Sequence, residues 1–201
     1  MTMNLPKLTH PAEALILAKV PPAVIERARQ VRLMIFDVDG VLTDGRLWYS
    51  EHGELMKGFH ALDGHGLRLM RESGVDVALM TGREGPIVAR RAAELGIPLV
   101  FQGVRDKGQA ISRLAQAQGL ELSEVGYMGD DIIDMAALQR VGFAASVPNA
   151  PAYVNQIVHW VSSRPGGSGA VRDCCDVILA AQGRLGGFLA SGTARLSGAI
   201  Q

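Results

Sequence analysis

The stretch LMIFDVDGVLTDG, residues 33–45, is the key to the architecture. Leu33, Met34, Ile35 and Phe36 are apolar at every position and stop at Asp37. A run without polar alternation is a strand buried on both faces, which is how strands inside a parallel sheet read. The same pattern recurs downstream. Val75–Met80 is an apolar strand running into Thr81-Gly82-Arg83, and Val125–Met128 is one running into Gly129-Asp130-Asp131. Shorter strands are predicted at 98–101 and 142–145. Helices are predicted at about 85–95, 107–118 and 131–140, the first two ending at Gly96 and Gly119. Strands alternating with helices predict an α/β fold, a doubly wound parallel sheet with helices on both faces. Ligands bind such sheets beyond the carboxyl ends of the strands, where Asp37, Thr81 and Asp130 all fall.

One stretch interrupts the alternation. Thr43–His60 holds two short extended pieces around Ser50-Glu51-His52-Gly53, which predicts a protruding β-hairpin with a four-residue connection. The chain's 201 residues suit one domain with short appendages. We place an N-terminal arm over residues 1–20, the domain over 21–183 and a flexible Gly/Ser/Ala-rich tail over 184–201. Pro21 and Pro22 open a helix at the domain's start. Ser162–Gly169 reads as a loop before a final helix at about 170–181. Lys and Arg number 20, as do Asp and Glu, so no global field attracts nucleic acid or an anionic membrane. The apolar piece 12–20 is too short to span a bilayer and has no basic leader. Cys174 and Cys175 are adjacent and close no useful loop, so they read as reduced thiols. These features predict a cytoplasmic protein with neither nucleic acid nor membrane as partner.

Four motifs carry chemistry: FDVDGVLTDG (36–45), MTGR (80–83), DK (106–107) and MGDDIID (128–134). Singly each has a plain structural reading. Thr81 suits a helix cap, Lys107 a surface lysine, and Asp130 and Asp131 an N-cap. Jointly, in this order and each at a strand's end or a helix's start, they resemble the haloacid dehalogenase superfamily of phosphotransferases, over roughly residues 31–183. The resemblance implies a Rossmann-like fold, a Mg²⁺ cofactor and an aspartyl-phosphate on Asp37. Asp39 would protonate the departing alkoxide and then deprotonate the attacking water. Thr81 and the bare amide of Gly82 would bind phosphoryl oxygens, and Lys107 would neutralise charge. Asp37, Asp130 and the main-chain oxygen of Asp39 would hold the metal, with Asp131 and Asp134 behind them.

Only a hairpin and one helix fit between Asp39 and Thr81, and only a helix and a strand between Thr81 and Lys107. There is thus no room for a cap domain. Within the superfamily, VDGVLTDG (38–45), the Lys57–Gly66 run and GGSGAVRDCCDVILAAQG (166–183) resemble the capless 3-deoxy-D-manno-octulosonate 8-phosphate phosphatases of lipopolysaccharide precursor synthesis. This implies a homotetramer built through apolar hairpins, with tails reaching neighbouring sites, and substrate contacts from Lys57, Asp63, Arg83 and Arg172. Leu62 and His60 depart from that pattern and leave the exact sugar acid open. The other readings are a nine-carbon sugar acid 9-phosphate phosphatase and a non-catalytic assembly or sugar-binding domain.

Overall fold

The computed structural model describes residues 10–190. Residues 1–9 and 191–201, the outer parts of the expected arm and tail, lie outside the described residues. Six strands form one parallel sheet: β1 (Leu33–Phe36), β4 (Asp76–Met80), β5 (Leu99–Phe101), β6 (Val125–Met128), β7 (Phe143–Ser146) and β8 (Trp160–Val161). Across the sheet they run in the order β5-β4-β1-β6-β7-β8. The chain steps one way from β1 to β4 and β5, through α3 (Ala61–Glu72) and α4 (Pro86–Glu94). It then crosses back through α5 (Lys107–Ala117) to β6, and through α6 (Met135–Leu138) to β7. Right-handed crossovers in opposite directions put helices on both faces. Accordingly α3 packs against α8 (Ala170–Ala181), and α5 against α6.

Every residue of β1, β6 and β7 is buried, as their unbroken apolar runs require. Phe36 stands in register with Leu79 on one side and Met128 on the other. The first residues past three adjacent strands therefore emerge within one residue of the same level. This is the point where the strand order reverses, and the crevice there is where such a sheet binds ligands.

The hairpin forms as β2 (Trp48–Ser50) and β3 (Gly53–Met56), separate from the main sheet. Its connection is tighter than expected. Ser50 pairs with Gly53, which leaves Glu51 and His52 alone in the turn, and Gly53 adopts φ 110°. With α3 and β4 it takes up the interval between Asp39 and Thr81, so no cap domain is inserted there.

Four regions depart from expectation. Residues 11–17 of the expected arm form helix α1 (Pro11–Leu17), and α2 (Pro22–Gln30) comes after it. The buried Glu13 closes a capping box with His10 and accepts the Gly186 N–H at 2.7 Å, which joins the two ends of the domain. Residues 185–190 of the expected tail are helical. The helix expected at 131–140 is instead a 3₁₀ turn, Ile132–Asp134, leading into the four-residue α6. The Asp134 side chain is turned back onto the main chain, where it closes a capping box with Asp131. Residues 147–161, where no element is predicted, supply α7 (Ala152–Asn155) and the edge strand β8.

Candidate active site

Asp37 leaves β1 and is 4% exposed. The backbone then wraps back through Val38–Leu42, with Gly40 at φ 87°. A Cβ on Gly40 would lie 2.0 Å from Asp130 Oδ2, so only glycine allows that carboxylate to press onto the loop. Thr43, also buried, closes the loop by accepting the Gly40 and Gly45 amides on Oγ1, at 3.3 and 3.2 Å.

A network of charges lies beneath. Lys107 is 1% exposed and reaches Asp37 Oδ2 at 2.9 Å and Asp134 Oδ1 at 2.6 Å. The buried Tyr127 hydroxyl also donates to Asp134 Oδ1, at 2.5 Å. Asp134 Oδ2 accepts the amides of Asp130 and Asp131, at 3.0 and 3.1 Å. Burial, then the nearby Asp134 charge, raise the pKa of Asp37, against the pull of Lys107. Burial and the charges of Asp134 and Asp131 push Asp130 up to about 7. Burial disfavours the Lys107 ammonium, but Asp37 and Asp134 outweigh it and its pKa is raised.

Asp37, Asp130 and Asp134 present oxygens within 4.8 Å of one another. Asp134 already takes four donors, whereas each Asp37 oxygen takes one, from Val38 or Lys107, so lone pairs for a cation remain on Asp37 and Asp130. A buried and a half-buried carboxylate, each with a raised pKa and hard oxygen donors, fit a divalent cation such as Mg²⁺. Asp131, beside them, is exposed. Its carboxylate caps the adjoining turn by accepting the Ile132 amide at 2.7 Å.

Thr81, 1% exposed, stands just past β4 and accepts the Arg83 amide on Oγ1 at 3.2 Å, leaving its hydroxyl hydrogen to donate. Gly82 is open, with only the Val104 carbonyl 3.6 Å from where a Cβ would stand. Asp37, Asp39, Thr81, Gly82, Arg83 and Asp130 share a cleft of about 330 Å³ with Leu47 and Ile133 at its edge. A groove of about 350 Å³ beside α1 and β8 holds Asp173 and Asp176. Both are engaged there, by Ser162 and Ser163 and by Arg172. The cleft over the charge network is therefore the candidate active site.

The hairpin reaches the cleft. Lys57, just past β3, lies 2.5 Å from Asp39 Oδ1 and 2.7 Å from Glu54 Oε1. Burial disfavours its charge, but the bonds to Asp39 and Glu54 prevail and raise its pKa. Arg83 Nε stands 4.0 Å from Asp39 Oδ2.

Asp63 and Arg172 are not brought to the site. Asp63 is 1% exposed and accepts the Arg172 and Gly169 amides, at 2.7 and 3.3 Å, at the start of α8. The Arg172 side chain pairs with Asp176 at 2.8 Å. The Lys57–Gly66 run thus splits in two: Lys57 serves the cleft, and Asp63 anchors the 166–169 loop. Sequence reading missed Tyr127 and Glu54. The single hydroxyl in the apolar β6 was the only signal for the first. The three-residue spacing to Lys57 was the only one for the second.

The haloacid dehalogenase-like hydrolase family matches residues 96–171. The chain is 41% identical over 159 residues to the 3-deoxy-D-manno-octulosonate 8-phosphate phosphatase of Haemophilus influenzae, covering 79% of this chain and 88% of that protein. A hypothetical protein from Xanthomonas campestris has a solved structure similar at TM-score 0.85 and 43% identity, over 88% of this chain and 96% of that one. The Moraxella catarrhalis 3-deoxy-D-manno-octulosonate 8-phosphate phosphatase, solved with magnesium ion, phosphate ion and a KDO molecule, is similar at TM-score 0.82 and 39% identity, over 84% of this chain and 97% of that one. With its motifs on one sheet edge and no cap over them, the chain belongs to the haloacid dehalogenase-like hydrolases, in the family of 3-deoxy-D-manno-octulosonate 8-phosphate phosphatases.

Proposed function

We propose that this chain, as a single phosphatase domain, hydrolyses 3-deoxy-D-manno-octulosonate 8-phosphate to the free sugar acid and phosphate, with Asp37 as nucleophile. The observation that carries the reading is the buried Asp37 carboxylate, 2.9 Å from Lys107 at the floor of a cleft that Asp39 overlooks. An Asp37 oxygen attacks phosphorus as the bond from phosphorus to the sugar oxygen breaks, and Asp39 gives its proton to that oxygen. Water then attacks the aspartyl-phosphate and loses a proton to Asp39, which frees Asp37 and phosphate. Thr81 and the Gly82 amide bind phosphoryl oxygens, and Lys107 offsets charge building on the phosphoryl group. Asp134 and Tyr127 hold Lys107 in line. Mg²⁺, held by Asp37, Asp130 and the Asp39 main-chain oxygen, supplies the positive charge that lets a carboxylate approach a phosphate dianion.

The hairpin supports assembly as a homotetramer. Leu47, Trp48, Leu55 and Met56 are 45–62% exposed, and a lone hairpin is marginal in water. Cytoplasmic residence is supported by the free, buried pair Cys174 and Cys175, which suits a reducing compartment. No helix among the described residues is long and apolar enough to cross a membrane.

Phosphate release with Mg²⁺ from a panel of sugar phosphates tests the reading. Preference for the eight-carbon acid supports it, and preference for a nine-carbon acid 9-phosphate moves the substrate. No release from a folded protein that binds Mg²⁺ points to a non-catalytic role.

The carboxylates supply a second test. The metal-free fold raises Asp130 from 3.8 to about 7, so between these values it binds more protons than the unfolded chain. Its stability therefore falls as pH rises through that window. A cation displaces those protons, so Mg²⁺ raises the melting temperature little near the bottom of that window. Near its top, saturating Mg²⁺ raises it by about 5–10 °C. An equal rise at both ends in differential scanning fluorimetry contradicts metal binding at Asp37 and Asp130.

A further inference from the structure

Tyr49 on β2 and Glu54 on β3 are direct cross-strand partners, and both touch Arg83. Arg83 donates to the Tyr49 hydroxyl, and its guanidinium lies 5.7 Å from the Tyr49 ring centre. Glu54 Oε1 sits 2.7 Å from Lys57 Nζ and 3.7 Å from Arg83 Nη2. Without Glu54, Lys57 and Arg83 would have Asp39 as their one anionic neighbour in this cluster, and both would collapse onto it. The Lys57 side chain is 1% exposed and that of Glu54 14%, so water screens this competition little. Arg83, 36% exposed, is left at the rim of the cleft, away from the floor where Lys107 meets Asp37.

A sugar acid phosphate carries a carboxylate and hydroxyls at the end remote from its phosphate. Resting on the function proposed above, we propose that Glu54 is a positioning residue for substrate selection. With Tyr49 it holds Arg83, and Lys57 beside it, at the mouth of the cleft as the site for the acidic, hydroxylated end of the substrate. Glu54 itself takes no part in phosphoryl transfer. A purely architectural role, stitching the hairpin to the body, predicts losses that do not depend on the substrate.

The experiment compares kcat and KM of the full chain with Mg²⁺ on 3-deoxy-D-manno-octulosonate 8-phosphate and on p-nitrophenyl phosphate, which has no such remote end. In Glu54→Gln the kcat/KM ratio of sugar over aryl substrate falls about tenfold, chiefly through KM for the sugar. In an Arg83→Met background the same change lowers the ratio by less than about twofold, because its effect passes through Arg83. Tyr49→Phe, which removes one hydroxyl, lowers the ratio about threefold and carries the test should Glu54→Gln not fold. Equal losses on both substrates, or a Glu54→Gln effect undiminished beside Arg83→Met, overturn the proposal and leave the phosphatase reading standing. A wild-type protein without preference for the sugar phosphate overturns the substrate reading, and the positioning role with it.

Discussion

Asp37→Asn lowers phosphate release by at least about 10⁴-fold, because an amide is a poor nucleophile toward phosphorus and nothing else in the cleft replaces it. The variant folds. Asn has the shape of Asp, and Lys107 keeps Asp134 at 2.6 Å as its partner. Burial and the Asp134 charge raise the Asp37 pKa, so the ionised carboxylate costs the metal-free fold stability that the neutral amide does not. The metal-free variant therefore melts at or above the wild-type temperature near neutral pH. Phosphate release and thermal melts on the same preparations check both halves. Turnover above about one hundredth of wild type, in a folded variant, contradicts covalent catalysis at Asp37.

Gly166→Ala is the second change expected to cost much of the activity, although Gly166 carries no chemistry. Its Cβ would stand 1.7 Å from the Gly40 carbonyl oxygen, 2.6 Å from its carbon and 3.1 Å from the Thr43 carbonyl oxygen. These are backbone atoms and cannot swing aside. Gly40 is pressed from its other side by Asp130, and Gly167 donates to the Val41 carbonyl at 3.0 Å. Asp63 fixes the far end of the same loop through the Gly169 and Arg172 amides. A methyl here displaces the turn that aims Asp37, Asp39 and Asp130. A displacement of about 1 Å lowers kcat on the order of 10²-fold, and the overpacking costs about 1–3 kcal/mol of stability. Single-turnover kinetics with a denaturant melt test this. Wild-type kcat in Gly166→Ala contradicts the view that the 166–169 loop braces the catalytic turn.

The sheet and most of the site were legible because their signals are local. An apolar run ending in Asp marks both a buried strand and its carboxyl end, so Asp37, Thr81 and Asp130 could be placed at one edge before any contact was known. Asp39, Lys107 and Asp134 could be assigned from motif order. The residues that escaped depend on partners far away in sequence. Asp63 read as a substrate contact because acid and glycines look alike in a binding loop and in an anchor. Its partners, the Gly169 and Arg172 amides, lie more than 100 positions downstream. Glu54 was not singled out, since nothing near it in the chain announces Arg83. The broken helix after Asp131 escaped because propensity does not register a carboxylate drawn back to satisfy two main-chain amides.

The linear chain was enough for the α/β class, the interval too short for a cap, and the carboxylates and lysine that suit phosphoryl transfer. Strand burial, chain length and residue chemistry are properties of a segment, so they survive without coordinates. Three-dimensional packing alone settled which acids cluster at the floor of the cleft and which caps a turn, that Asp63 anchors a loop, and that the hairpin brings Glu54 and Tyr49 onto Arg83. Each of those roles is a matter of a few ångströms between segments distant in the chain. Charge, burial and hydrogen bonding act at that range, and linear order does not encode it.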